Sequence, residues 1–204
     1  MTLAFGLLLA YLIGAVPTSW IAARLGAGID LRQHGSRNLG ATNLYRVLGW
    51  RYAIPVGLFD VGKGSVPVLV LPPLAHPAPA PWVPLAIGVA AILGHVFSVF
   101  VRFRGGKGVA TAAGVVLALA PIPLLVSAAV WVAVLKAWGF VSLASMTAAV
   151  TFPLAVWIIG AGNRYVLPMG AAIAAFILFT HRANLRRLRA GTENRFGPKA
   201  RGAA

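Results

Sequence analysis

The sequence predicts an all-α, polytopic integral membrane protein with about seven transmembrane helices, five being the alternative. Three observations carry this. Of 204 residues 59% are hydrophobic and only 10% charged, with a mean hydropathy of +0.85. Apolar runs long enough to cross a hydrocarbon core of ~30 Å recur along the chain. The cations behind the net charge of +15 gather between those runs, in segments at about 24–51, 102–108 and 181–204. A soluble nucleic-acid-binding protein would share the charge but not the spans, so no nucleic-acid partner is expected. The pattern matches the positive-inside rule, which puts all three basic segments in the cytoplasm and the N-terminus outside. The whole chain, 1–204, reads as one membrane-embedded domain.

The first span covers about 3–23, ~31 Å of helix at 1.5 Å per residue, with Pro17 set to kink it near its end. It lacks a basic leader and an A-x-A cleavage signal, so it is read as retained. A loop with Arg24, Arg32, Arg37, Arg46 and Arg51 against Asp30 follows. The second span, about 52–74, holds Asp60 and Lys63 three residues apart, an ion pair that would offset its own burial cost and is read as structural. The connection LPPLAHPAPAPW has no charge, and its His76 is given no role. A third span covers about 83–101, followed by Arg102, Arg104 and Lys107. Segments on one side of a membrane are separated by even numbers of crossings, so the stretch from 109 to 180 holds two spans or four. Pro121 and Pro123, Trp138-Gly139, and Gly160, Gly162 and Asn163 divide it into about 109–120, 122–138, 140–159 and 164–180, the first two short for full crossings. Four pieces give seven helices.

Three cytoplasmic segments mix glycines with polar donors. In HGSRNLGATNLYRVLG, residues 34–49, Ser36, Asn38, Thr42, Asn43 and Arg46 crowd a loop in a hydrophobic chain. Such groups bind hydroxyls and phosphate oxygens, and Arg takes phosphate bidentately. The alternative is a helix-capping turn with Arg46 snorkelling, but a mere connection has no use for this density of donors. Arg24 and Arg51, at the loop edges, are read as topology charges. In RFRGGKGVATAAG, Gly105, Gly106 and Gly108 allow backbone amides to approach an anion at the start of a helix, with Lys107 among them. Val101 and Gly108 stand where a Walker A loop needs Gly and Ser/Thr, so no nucleotide is implied. In HRANLRRLRAGTENRFG, His181, Asn184 and Leu188 share one helical face. Glu193 reads as a counter-charge to the tail arginines, and Lys199 and Arg201 as solvated or lipid-facing charges. His95, in LGHVFS, supports the second loop or satisfies a backbone carbonyl. The absence of cysteine excludes thiol nucleophiles, disulfides and Cys-ligated metals. With no clustered ligand set either, no metal or cofactor is expected.

These segments resemble the bacterial acyl-phosphate:glycerol-3-phosphate acyltransferases, PlsY. GSRNLGATN with Arg46-Val47-Leu48-Gly49 is similar to the family's first motif, GHVFSVFVRFRGGKGVAT to its second and HRANLRRLRAGTE to its third; IDLR and FDVGKG also match. Arg37 stands where the family usually has Gly, Ala15 where Ser is common and Ser98 where Pro is common. The resemblance implies an inner-membrane enzyme, its site facing the cytoplasm, that moves an acyl chain from acyl phosphate to the sn-1 hydroxyl of glycerol 3-phosphate, making lysophosphatidic acid for phospholipid synthesis. It carries over Gly105, Gly106, Lys107 and Gly108 as phosphate binders, and Ser36, Arg46, His181 and Asn184 as residues important for activity. No H-x-x-x-x-D acyltransferase motif is present and acyl phosphate has a good leaving group, so direct transfer is expected, with a substrate phosphate accepting the proton. His181 as base and Ser36 as nucleophile are the alternatives. Two other classes compete: a transporter of an anionic metabolite, opposed by the scarcity of polar residues in the last spans and of any internal repeat, and a membrane-tethered binder of nucleic acid or anionic lipid, which leaves the first two loops unexplained.

Overall fold

The computed structural model describes residues 2–75, 78–161 and 164–196, so His76, Gly162, Asn163, Lys199 and Arg201 lie outside the described residues. All regular structure within them is helical. The first apolar run is two helices, α1 (Leu3–Ala15) and α2 (Thr18–Ala27), because Pro17 has no amide with which to continue the ladder. A break within an apolar span frees carbonyls that must find donors. Ser98 donates its hydroxyl to the Ala15 carbonyl, and Lys63 donates to the Val16 carbonyl at 2.9 Å. Lys63 belongs to α4 (Trp50–Ala75), where it meets Asp60 at 2.6 Å. Asp60 also accepts the Thr18 hydroxyl at 2.6 Å. The ion pair expected from spacing therefore ties the second span to the break in the first.

Between these spans lie a 3-10 turn (Leu31–Gln33) and a short helix, α3 (Ala41–Leu48). Leu31, Leu39, Leu44, Val56 and Val101 form a buried cluster that pins this loop against α4. The chain continues through α5 (Val83–Val96), α6 (Val109–Leu119), α7 (Pro121–Trp138), α8 (Val141–Ile159), α9 (Val166–Thr180) and α10 (Arg182–Arg189). All seven apolar segments expected from the sequence are helical. Among the described residues five stretches are long and apolar enough to cross a membrane, α1 and α2 counting as one, and α9 with α10, bent by 58°, is a sixth candidate. The segment expected at 109–120 is short, at 11 residues, whereas α7 reaches 18.

Lipid gives helices no hydrophobic reason to associate, so close approach through small residues does the holding. A Cβ on Gly14 would lie 2.1 Å from the Ala91 carbonyl oxygen, and one on Gly94 2.1 Å from that of Tyr11, so α1 and α5 meet backbone to backbone. Gly64 and Gly114 do the same for α4 and α6: their Cβ positions lie 2.1 Å from the Thr111 oxygen and 1.9 Å from the Val61 oxygen. Helices α8 and α9 join α5 and α6 through a cluster of Leu85, Val116, Ala120, Phe152, Val156, Val166 and Met169, against which Leu124 of α7 packs. On the basic side of that cluster the helices leave a cavity.

Candidate active site

The first polar loop is built around two anchors. Arg32 forks Asp30 through Nε at 3.0 Å and Nη2 at 2.7 Å, and these hydrogen bonds hold the Asp30 carboxyl well below the usual carboxylate range against the opposing effect of burial. Buried Asn43 is the second. Its Oδ1 accepts the Ser36 amide at 2.7 Å, and its Nδ2 donates to the carbonyls of His34 at 3.1 Å and Asn38 at 3.0 Å. Asn43 was expected to bind substrate; its amide is instead engaged by the loop's own backbone, so it shapes the loop that presents Ser36 and Asn38. Arg37, where the resemblance led us to expect Gly, has φ of 60°, in the left-handed region. That conformation costs a residue with Cβ ~1 kcal/mol, which accounts for the glycine of the related motif.

The second segment departs from expectation in one respect. Of its three glycines only Gly108 has positive φ, at 83°. The Gly105 and Gly106 amides are donated to the carbonyls of Val96 at 3.0 Å and His95 at 3.1 Å, so neither is free for an anion. Their missing side chains serve packing: a Cβ would lie 2.0 Å from the His95 oxygen at Gly105 and 2.2 Å from His95 Nε2 at Gly106. His95 thus supports the loop with both ring and carbonyl. What the turn delivers to the cavity is Lys107, Gly108 and the first residues of α6, whose leading amides have no partner within the helix and carry its positive dipole end.

The third segment completes the site. His181 Nδ1 lies 2.8 Å from the Ile177 carbonyl; donating there leaves the lone pair on Nε2. Burial, and then the charge of Lys107, lower its pKa to about 4, so the imidazole is neutral at physiological pH. Asn184 accepts from Lys107 Nζ through Oδ1 and donates to Glu193 Oε1 at 2.6 Å. Glu193 also accepts from Ser142 at 2.8 Å and from Arg187 Nε at 2.7 Å. Burial alone would raise the Glu193 pKa; the hydrogen bonds from Asn184, Ser142 and Arg187 outweigh it and lower it. The counter-charge expected of Glu193 is therefore a junction joining α8, α10 and Lys107. The segment beyond it folds back: Phe196 stacks on Tyr45 with centroids 5.0 Å apart, and its amide donates to the Gly139 carbonyl at 2.7 Å.

All five residues singled out for activity, Ser36, Arg46, Lys107, His181 and Asn184, line one cavity of about 440 Å³. Asn38, Thr42, Asn43 and Gly108 line it too; Gly105 and Gly106 do not. Two carboxylates line it as well, but Asp60 is tied to Lys63 and Thr18, and Glu193 to Asn184, Ser142 and Arg187. Among the described residues Arg46 reaches only the Asn194 carbonyl, at 3.4 Å, and its buried Nε has no hydrogen-bond partner. Lys107 is held by an amide, while the nearby carboxylate of Glu193 is engaged elsewhere. Two half-buried cations in that condition are suited to a phosphate, which brings the acceptor oxygens they lack. The other end is apolar, walled by α6, α7, α8 and α9. Sequence reasoning missed Ser142, Arg187, Asn194 and this entire apolar wall. The rarity of Glu193, one of three acids, was the signal that could have led to its partners.

Comparison with known proteins agrees. The profile of the glycerol-3-phosphate acyltransferase family matches residues 4–191. The chain is 48% identical to a glycerol-3-phosphate acyltransferase of Geotalea daltonii over 92% of this chain and 94% of that one. It is 41% identical to that of Chlorobaculum parvum, over 91% and 93%. Among solved structures it is similar to the integral membrane glycerol 3-phosphate acyltransferase PlsY in its glycerol 3-phosphate form, with TM-score 0.87, 41% identity and 96% of both chains covered. For the lysophosphatidic acid form the TM-score is 0.84 at 38% identity, over 96% of this chain and 95% of that one.

Proposed function

The chain belongs to the glycerol-3-phosphate acyltransferase family, PlsY, and from that premise we propose that its acyl donor is an acyl phosphate and that transfer is direct. The carrying observation is the cavity: two under-partnered, half-buried cations, Arg46 and Lys107, at one end and an apolar arm at the other. A phosphorylated acceptor and a donor bearing phosphate and a long alkyl chain fit that division. In the proposed step the sn-1 hydroxyl oxygen of glycerol 3-phosphate bonds to the acyl carbon, the bond from that carbon to the phosphate oxygen breaks, and the hydroxyl proton goes to the departing phosphate. Arg46 and Lys107 orient the phosphates and stabilise charge on the leaving group. Ser36 and Asn184 position the reactants, and neutral His181 offers Nε2 to the acceptor hydroxyl. Among the described residues no histidine or carboxylate hydrogen-bonds the Ser36 hydroxyl, which supports direct transfer over an acyl-enzyme. Lysophosphatidic acid and inorganic phosphate are the products.

The same reading makes all seven apolar helices crossings of the bacterial inner membrane, with the N-terminus outside and the site on the cytoplasmic side, as the basic segments favour. A transporter would need a polar path onward from the cations; the cavity's far end runs into a hydrophobic cluster. The test uses purified protein in detergent, labelled glycerol 3-phosphate, and either an acyl phosphate or an acyl thioester. Acylated product from the acyl phosphate alone is expected. Transfer from the thioester alone, or an acyl ester trapped on Ser36 during turnover, would refute the proposal.

A further inference from the structure

We propose that Phe152 is the floor of the acyl-chain tunnel and sets the longest chain the enzyme accepts; this rests on the acyl-phosphate reading above. Helices α7 and α8 run antiparallel from the Gly139 turn, and Trp131 Nε1 donates to Ser145 Oγ across them at 3.2 Å. About two turns farther from the cations along each helix stand Leu124 and Phe152, and both line the cavity. On α9, Gly170 comes up against the same ring: a Cβ there would lie 2.9 Å from Phe152 Cε1. On α6 the deepest lining residue is Val116. Past these positions the helices leave the cavity: Ala120, Val156, Val166 and Met169 pack with Phe152 and Val116 into one buried cluster. Phe152 therefore belongs to both the lining and the plug.

The distance is meaningful because α8 measures it. Ser142, bonded to Glu193, marks the charged end, and from Ser142 to Phe152 the helix rises ~15 Å at 1.5 Å per residue. A staggered alkyl chain with C–C bonds of ~1.5 Å advances ~1.3 Å per carbon. The tunnel thus holds roughly twelve carbons in extended form between the charged end and the ring. Gly170 gives the ring its room, and no other residue of that face of α8 is large: Ser145, Ala148 and Ala149 leave the tunnel open until Phe152 closes it.

The experiment offers full-length protein in detergent a graded series of saturated acyl phosphates with labelled glycerol 3-phosphate. It reads the ratio of kcat/KM for long chains to that for short ones, a quantity that a general loss of folded enzyme leaves unchanged. Phe152→Ala is expected to move the cut-off to longer chains and raise the ratio about tenfold. Ala149→Leu, one turn nearer the cations, is expected to move the cut-off in the opposite direction by roughly three carbons. If wild type and both variants transfer acyl groups with one shared length profile, the floor assignment is wrong while the donor assignment stands. If the wild type transfers from no acyl phosphate of any length, the donor reading fails and this inference with it.

Discussion

Lys107 carries a charge that its burial opposes. Desolvation is the main cause of a pKa lowered to about 8, with Arg187 and Arg46 adding to it and Glu193 pulling the other way. The sign follows directly: below about 8 the ammonium is charged and, on the proposed function, holds phosphate, and as pH climbs through that value the charge is lost while Arg46 keeps its own. Since kcat/KM reports the free enzyme, kcat/KM for glycerol 3-phosphate is predicted to fall between about pH 7 and 9. Lys107→Arg should remove that inflection, and Lys107→Ala should lose ~2 kcal/mol of binding to a charged group, ~30-fold in kcat/KM. An unchanged alkaline limb in Lys107→Arg would contradict the assignment. Residues of this kind were legible in the sequence because a donor or cation beside a membrane needs a reason. Their roles were less so. Asn43 reads like a ligand-binding amide, yet its partners are carbonyls of its own loop. Gly105 and Gly106 read as an anion cradle, yet what they accommodate is His95, ten or more residues earlier. Ser142 and Arg187 carry no local signal at all, since their importance comes from a tail that folds back to bring Glu193 between them.

At the scale of helices, proline and glycine mark the chain well. Pro17 ends α1, Pro121 opens α7, and Gly139 and Gly160 close α7 and α8 in left-handed caps, so the breaks read from the sequence fall within a few residues of those observed. The sequence does not say which helices touch, because a glycine inside an apolar run looks the same whether it faces lipid or a neighbour. The reciprocal pairs Gly14–Gly94 and Gly64–Gly114 make that choice. Gly114 matters most for function, since α6 carries Lys107 at its head and lies on α4 with no space between. Gly114→Val is predicted to force the two helices apart at an overpacking cost of ~1–3 kcal/mol, lowering the unfolding midpoint in detergent. A substitution on the lipid-facing Leu125, 66% exposed, should leave it unchanged. Equal midpoints for the two variants would mean that α4 and α6 do not meet as described.

Taken whole, the molecule collects three polar segments from the beginning, middle and end of the chain around one cavity. The α1–α5 and α4–α6 pairs fix the first two, and the return of the tail through Glu193 and Phe196 fixes the third. The class of fold and the charge asymmetry were open to sequence reasoning, because the membrane imposes them on any chain; the apolar tunnel was not, because it arises from four helices that only packing brings together. The proposed topology places all three segments on one side. The chain has no cysteine, so single cysteines at the exposed positions Gln33, Arg104 and Arg189 should resist an impermeant maleimide added to intact cells, while one at Trp82 should react. Labelling of the first three from outside would reverse the orientation. The central claim of the proposed function, that Arg46 and Lys107 receive substrate phosphate in this cavity, is tested most directly by a crystal structure of this protein with glycerol 3-phosphate bound. The account predicts phosphate oxygens within hydrogen-bond distance of both cations and the sn-1 hydroxyl directed toward the apolar arm. Phosphate bound instead on the exposed arginines of the second loop, with the cavity cations untouched, would contradict it.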